Sequence, residues 1–217
     1  LADLYIDCCF HPLIMTDESI YRREAWRYRL ESEEDPLTIE GTVYSEMLGA
    51  ITLERQANRN AMTDAFPGAS INYEYGGDPV YIPDMTFDSL KAYHNLYYHP
   101  SNCIAYLYGD LGNYRDFLAL LDAEFSQYDR QDFVFEETGY TPLTESVTNS
   151  YAFPVEASSN PSHKSSIVYT WVLPKEADED ITALQQFASL LDSESGTLCQ
   201  EVQKQLPYAS VSCGVEV

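Results

Sequence analysis

Proline and glycine cut this chain into short pieces. Pro12, Pro36, Pro67-Gly68, Gly76-Gly77-Asp78-Pro79, Pro83 and Pro100 fall between stretches of periodic apolar residues. Each removes a backbone donor or frees the backbone where a helix or strand would otherwise continue. No stretch between these breaks approaches the roughly 18 apolar residues of a membrane span. A fold built on this pattern has to be assembled from short elements packed against one another.

The pieces have distinct periods. Leu4, Tyr5, Cys8 and Cys9 mark a helix that ends at Pro12. Between Ile20 and Leu30 a short helical turn gives way to the alternation Trp26, Tyr28, Leu30, which predicts a strand. Ser32-Glu33-Glu34-Asp35-Pro36 is an acidic turn. From about Thr42 to Ala65, the apolar set Val43, Met47, Ala50, Ile51, Ala57, Ala61 and Met62 has helical spacing. Thr86 is the expected N-cap of a further helix running to about Tyr98, with Leu90, Tyr93, Leu96 and Tyr97 on its buried face. Cys103 to Tyr108 predicts a strand, and Tyr114 to Tyr128 an amphipathic helix. Residues 130–149 turn polar and are the expected linker. Beyond it, strands are expected at Tyr151 to Val155 and Ser166 to Leu173, and helices at Ile181 to Leu191 and Thr197 to Leu206. This order predicts an α+β fold in two units.

Composition narrows the function. With 12 Lys and Arg against 35 Asp and Glu among 217 residues, the formal charge is −23. Such a chain is a poor partner for nucleic acid, whose phosphates need neutralising by basic side chains. The same argument counts against anionic membrane surfaces. A hydrophobic fraction of 45% allows a sizeable core. Cys8, Cys9, Cys103, Cys199 and Cys213 form no CxxC pair, so buried free thiols and a reducing, cytoplasmic compartment are expected. Leu1 to Asp7 reads like the middle of a helix, and Ala209 to Val217 alternates like a strand that stops without a turn. The chain is therefore expected to be an internal piece of a longer one.

Candidate chemistry is sparse. His94 and His99 are the only close histidine pair, but their i, i+5 spacing turns the second ring by about 140° on a helix. Packing at a helix end, or a cap, is the expected role. His11 and His163 lie in proline-containing loops with no further signature. There is no G-x-S-x-G, and neither Gly76-Gly77 nor Gly109-Asp110-Leu111-Gly112 has the pattern of a phosphate loop. Glu46 stands out because it precedes the apolar Met47, near the expected buried face. A carboxylate at such a boundary needs a partner, a proton or a metal. The residues alone leave a metal role open beside that of an ordinary helix glutamate.

Five collinear segments resemble one family. Gly41-Thr42-Val43-Tyr44-Ser45-Glu46-Met47-Leu48-Gly49-Ala50 resembles the G-V-V-Y-N-E-M-K-G-A of pitrilysin-like (insulinase-type) zinc peptidases of the presequence-protease branch. Arg23-Glu24-Ala25-Trp26-Arg27-Tyr28-Arg29-Leu30 and Gly76-Gly77-Asp78-Pro79 with Ile82-Pro83 resemble further segments of that branch. So do Tyr97-Tyr98-His99-Pro100-Ser101-Asn102 and Tyr108-Gly109-Asp110-Leu111. The match covers nearly all of residues 1–128 and continues more weakly through Ser166–Leu206. Two departures are Ala25, where the family has glycine, and Ser195-Gly196-Thr197-Leu198, which lacks the family's S-P-L.

The resemblance implies antiparallel sheets covered by helices, repeated along a long chain that encloses a chamber for unfolded peptides. It implies the latter part of a catalytic unit at 1–129, a linker at 130–149 and the opening of a second unit at 150–217. The family's zinc is held by an inverted H-x-x-E-H helix and a later Glu, which by resemblance is Glu46. This set leaves one position for a metal-bound water. No H-x-x-E-H occurs here; by resemblance it precedes residue 1, so no catalytic residue is expected within these residues. The expected function is zinc-dependent peptide hydrolysis by the parent protein, with this piece alone inactive. Its partners would be the rest of that chain and peptide substrates, basic or neutral ones by charge. The alternative is a catalytically dead homologue acting as a scaffold or peptide-binding subunit. A free-standing α+β binding module is a third reading, disfavoured by the ragged ends.

Overall fold

The computed structural model describes residues 1–135, 139, 141, 143–155, 158, 160–162, 164–173 and 180–215. Helices dominate: α1 (Ala2–Phe10), α2 (Glu18–Glu24), α3 (Thr42–Gly49), α4 (Leu53–Ala65), α5 (Phe87–Tyr97), α6 (Tyr114–Phe125), α7 (Ile181–Asp192) and α8 (Thr197–Gln205). Two short strands, β1 (Arg27–Arg29) and β2 (Thr38–Glu40), pair antiparallel with Tyr28 opposite Ile39. The result is a mixed α and β architecture with a small sheet, compatible with the α+β class read from the sequence.

The hairpin forms where alternation predicts it. Trp26 and Tyr28 project to one side, with their rings edge-to-face at 5.4 Å. The acidic turn closes through the Ser32 hydroxyl, which donates to Asp35 at 2.7 Å. Across the strands, Arg27 stands opposite Glu40 and donates to its carboxylate, while Arg29 Nη1 donates to the other carboxylate oxygen at 2.9 Å. One acid thus holds two cations of the facing strand, a cross-strand arrangement that opposes slippage.

The expected long helix at 42–65 is two helices. Gly49 weakens the end of α3, and the Thr52 side chain accepts from the Arg55 N–H at 3.1 Å, capping α4 afresh. A threonine with an acidic residue two positions on, after a helical glycine, was the signal for this break. Thr86 caps α5 as expected, and Ser89 returns the bond to the Thr86 N–H at 2.9 Å. The predicted burial of that helix does not hold. Tyr93, Leu96 and Tyr97 are all exposed, because no element covers that face among the described residues.

The packed interior is small. Tyr21, Ala65, Ile82, Ala188 and Cys199 are its buried apolar side chains among the described residues. Tyr21 donates its hydroxyl to the Met85 carbonyl at 2.6 Å, and the Trp26 indole N–H donates to the same oxygen at 2.9 Å. Burial pushes the Tyr21 phenol above its ordinary value. At the other end of α1, Phe10 meets Phe125 edge-to-face at 5.7 Å, and His11 Nε2 lies 2.8 Å from Glu124. Asp64 of α4 accepts from both Asn149 and Tyr151, at 2.9 and 2.7 Å, tying the later chain to α4. α7 packs on α8 through a turn in which a Cβ at Gly196 would collide with the Leu190 carbonyl.

Four further expectations are corrected. Cys103–Tyr108, Tyr151–Val155 and Ser166–Leu173 make no ladder, and β1 and β2 are the only strands among the described residues. A strand needs a neighbour for its N–H and C=O groups, and none lies alongside among the described residues. Strand-like alternation survives locally, since Tyr169 and Trp171 stack at 6.3 Å and Trp171 is 77% exposed. The cysteines are not uniformly buried: Cys8, Cys9 and Cys103 are exposed and only Cys199 is buried. Burial, with the nearby Cys103 adding to it, still pushes the Cys9 thiol up.

The fork on Glu40 carries a pH dependence. Desolvation is the largest single influence and pushes its carboxyl up, but the hydrogen bonds and charges of Arg29 and Arg27 outweigh it and hold it below the ordinary value of 4.5. A lowered folded value gives stability that is present above the unfolded value and lost as pH falls through the folded one. The Glu40→Gln variant is therefore expected to unfold at lower urea concentration than the wild type at pH 6. The gap should close as pH drops below about 4.5, the ordinary carboxyl value. A gap independent of pH would show that the ionised fork is not the source of the difference.

Candidate functional site

Glu46 lies on α3, whose placement depends on one close approach. Gly41 precedes the helix with an extended backbone, and a Cβ there would collide with the Ala25 carbonyl oxygen. The Tyr44 N–H donates to the same carbonyl at 3.3 Å. The start of α3 is therefore pressed onto the junction of α2 and β1, and only glycine allows that distance.

The other side of α3 meets the Gly76-Gly77-Asp78-Pro79 turn. A Cβ at Gly76 would overlap the Met47 thioether, so the turn sits directly on the residue after Glu46. Gly77 has φ +93, a conformation open mainly to glycine. The turn is tied to α4 by Arg55, which donates to Glu74 at 2.8 Å, and by Arg59, which reaches Asp78 at 3.4 Å. Sequence reading took Gly76-Gly77 as a flexible turn. Its second role, close contact with Met47, needed the fold to become visible.

Glu46 itself is exposed, which corrects its expected place beside a buried face. None of α3 is buried, so its apolar stripe offers the carboxylate no desolvated edge. Its carboxylate has no hydrogen bond or ion pair among the described residues, and an exposed, unpartnered carboxylate is free to take a ligand. A single carboxylate is nevertheless not a metal site. No group of three His, Cys, Asp or Glu side chains placed to hold a metal occurs among the described residues. These residues do not fit a resident zinc ion on their own.

The histidines are occupied as expected. His94 stacks on Tyr98 at 4.4 Å, with its Nε2 3.0 Å from the Cys9 carbonyl. His99 caps the short turn Pro100–Asn102, its Nδ1 accepting from the Ser101 N–H at 3.1 Å. His11 contacts Glu124, and His163 lies outside the described residues. Sequence reading missed a cavity of about 560 Å³ where His99 meets Phe125, Tyr128 and the chain at 130–135. Burial raises the Tyr128 phenol there, and the neighbouring Glu124 charge adds to it.

Comparison with known proteins agrees with the motif resemblance. The family model described as "Peptidase M16 inactive domain" matches residues 84–217, more than half of the chain. The chain belongs to the M16 peptidase family. It is similar to Protein HypA of Clostridium perfringens, with 29% identity over 184 residues, or 82% of this chain and 18% of that protein. It is also similar to Presequence protease 1, chloroplastic/mitochondrial, of Arabidopsis thaliana, with 34% identity over 111 residues, or 51% of this chain and 10% of that one. With the mitochondrial presequence protease of Xenopus tropicalis the identity is 36% over 115 residues, or 51% and 11%. The chain thus spans less than a fifth of the length of these relatives.

Because α3 rests on Gly41, Gly41→Ala is expected to destabilise the chain by about 1–3 kcal/mol, the usual cost of overpacking a close contact. Urea unfolding measures this. A variant as stable as the wild type would show that the approach to the Ala25 carbonyl has slack.

Proposed function

We propose that this chain is part of a zinc-dependent metallopeptidase that hydrolyses unfolded peptides, with Glu46 supplying one metal ligand. The observation that carries the reading is an exposed carboxylate, without a protein partner among the described residues, on a helix whose G-T-V-Y-S-E-M sequence resembles the family's ligand helix. The presequence proteases among its relatives support the class of activity. The remaining ligands and the general base would come from residues outside this chain. In this reading the helices cover antiparallel sheets in two partial units joined at 130–149, and the piece alone is inactive.

The test uses the full-length protein, wild type beside Glu46→Gln. Replacing a charged ligand by a neutral amide is expected to remove bound zinc and lower peptidase activity together. The loss should exceed about tenfold, since changes one shell further out already cost about 10–100-fold. Unchanged metal content and rate would rule Glu46 out as a ligand.

Charge points to the substrate class. A surface at −23 attracts cationic chains and repels anionic ones. Across a charge-varied peptide library, the full-length protein is expected to cleave basic members faster than acidic ones, and more so at low salt. Equal rates would count against this preference.

A second reading has its own observation. The matching family model is described as inactive and begins at residue 84, so Glu46 lies outside it. A scaffold or peptide-binding subunit that has lost catalysis would be metal-free, inert and folded in the same experiment.

A further inference from the structure

The cavity beside His99 combines three features. The first is its wall: Phe125, Tyr128 and Phe133 give it aromatic surface, with His99 edge-on to Tyr128 at 5.3 Å and tilted against Phe133 at 5.8 Å. The second is His99 itself, only 6% exposed and the one buried polar side chain among the described residues. Its Nδ1 accepts from the Ser101 N–H, so in the neutral ring the proton resides on Nε2. That nitrogen has no acceptor among the described residues. It is also not sealed off, because Asn72 Oδ1 is the only fully buried side-chain polar atom there without a partner. A donor on a clamped ring therefore keeps an opening, and the cavity is the opening that His99 lines.

The third feature is Arg130 on the same wall. Seven of the eight arginines of this acidic chain have a carboxylate or ring partner: Arg22, Arg23, Arg27, Arg29, Arg55 and Arg59 have acids, and Arg115 has Tyr114. Arg130 has neither among the described residues. In a chain with 35 acidic side chains, a guanidinium with no ion pair among the described residues is the exception. Aromatic walls, one fixed N–H donor and one unpaired guanidinium together suit a ligand with an apolar body and a single carboxylate. Asp132, also on the wall, disfavours a second negative group.

We propose that this cavity binds the C-terminal residue of a peptide, with its carboxylate on Arg130 and His99 Nε2 and a large apolar side chain against Phe125, Tyr128 and Phe133. The proposal rests on the reading of the protein as one that handles peptides, and adds to it a subsite that selects chain ends. Arg130 gives the charge and His99 the direction, while the aromatic residues and Asp132 of the wall favour Phe, Tyr or Leu over Asp or Glu.

Titration calorimetry on the full-length protein tests it with two probes, N-acetyl-phenylalanine and N-acetyl-phenylalanine amide, which differ only in the carboxylate. The acid is expected to bind about tenfold more tightly, the range of a charge-assisted hydrogen bond. Exposed Arg130, replaced in Arg130→Gln, should bring the two affinities to near equality while leaving the amide unchanged. In the wild type, the His99 imidazole nitrogen resonances should shift on adding the acid. Equal affinities, no binding of either probe, or a preference that survives Arg130→Gln overturns the proposal. Peptide hydrolysis is measured in parallel. Cleavage without the acid preference refutes this subsite alone, and the preference without cleavage refutes the peptidase reading alone.

Discussion

The Met85 carbonyl is the point on which the first half of the chain turns. It accepts the Tyr21 hydroxyl and the Trp26 indole, so one oxygen binds α2 and the start of β1 to the entry of α5 across about sixty residues. The next residue, Thr86, caps α5, and Phe87 sits 5.7 Å from the Tyr21 ring. A donor pair, a cap and an aromatic contact thus converge on three consecutive residues. With so few buried apolar side chains, directional bonds of this kind set the arrangement of elements more than bulk burial does. The Gly41 approach to Ala25, and through it the position of α3, is built on the end of the α2 segment that this carbonyl fixes.

Local order was legible in the sequence where the cause is local. The Thr86 cap, the proline-ended α1, the acidic hairpin turn and helices α6 to α8 each depend on residues within about one turn of one another. The split at Thr52 was also local, but seven apolar residues at helical spacing on either side of it masked a single weak glycine. The failures are long-range. Cys103–Tyr108 and Ser166–Leu173 have strand composition, yet strand pairing depends on a neighbour that no local pattern can supply. The buried face expected on α5 failed for the same reason: amphipathic spacing shows which side prefers cover, and something else must provide it.

The candidate site divides in the same way. Glu46 was singled out through a motif ten residues long, and the helix that carries it ends at Gly49 instead of running on to Ala65. Its environment was misjudged because the neighbour of Met47 turned out to be a glycine turn thirty residues away, which leaves the carboxylate open. The cavity at His99 left no sequence signal of its own. It gathers residues from a cap, a helix end and a polar stretch, and an unpaired arginine cannot be recognised before the pairs are known.

The segments that lack a ladder have a colloidal consequence. Ile104 is 95% exposed, with Tyr106 and Tyr108 beside it, and Tyr169 and Trp171 form a second bare stripe. Unpaired, apolar and strand-forming, such stripes adhere to one another when two copies meet. A net charge of −23 holds the copies apart, but only over the screening distance of the solvent, about 10 Å in 0.1 M salt. Isolated in dilute buffer, these residues behave as a charge-stabilised suspension, and added salt removes the barrier that keeps their edges from joining.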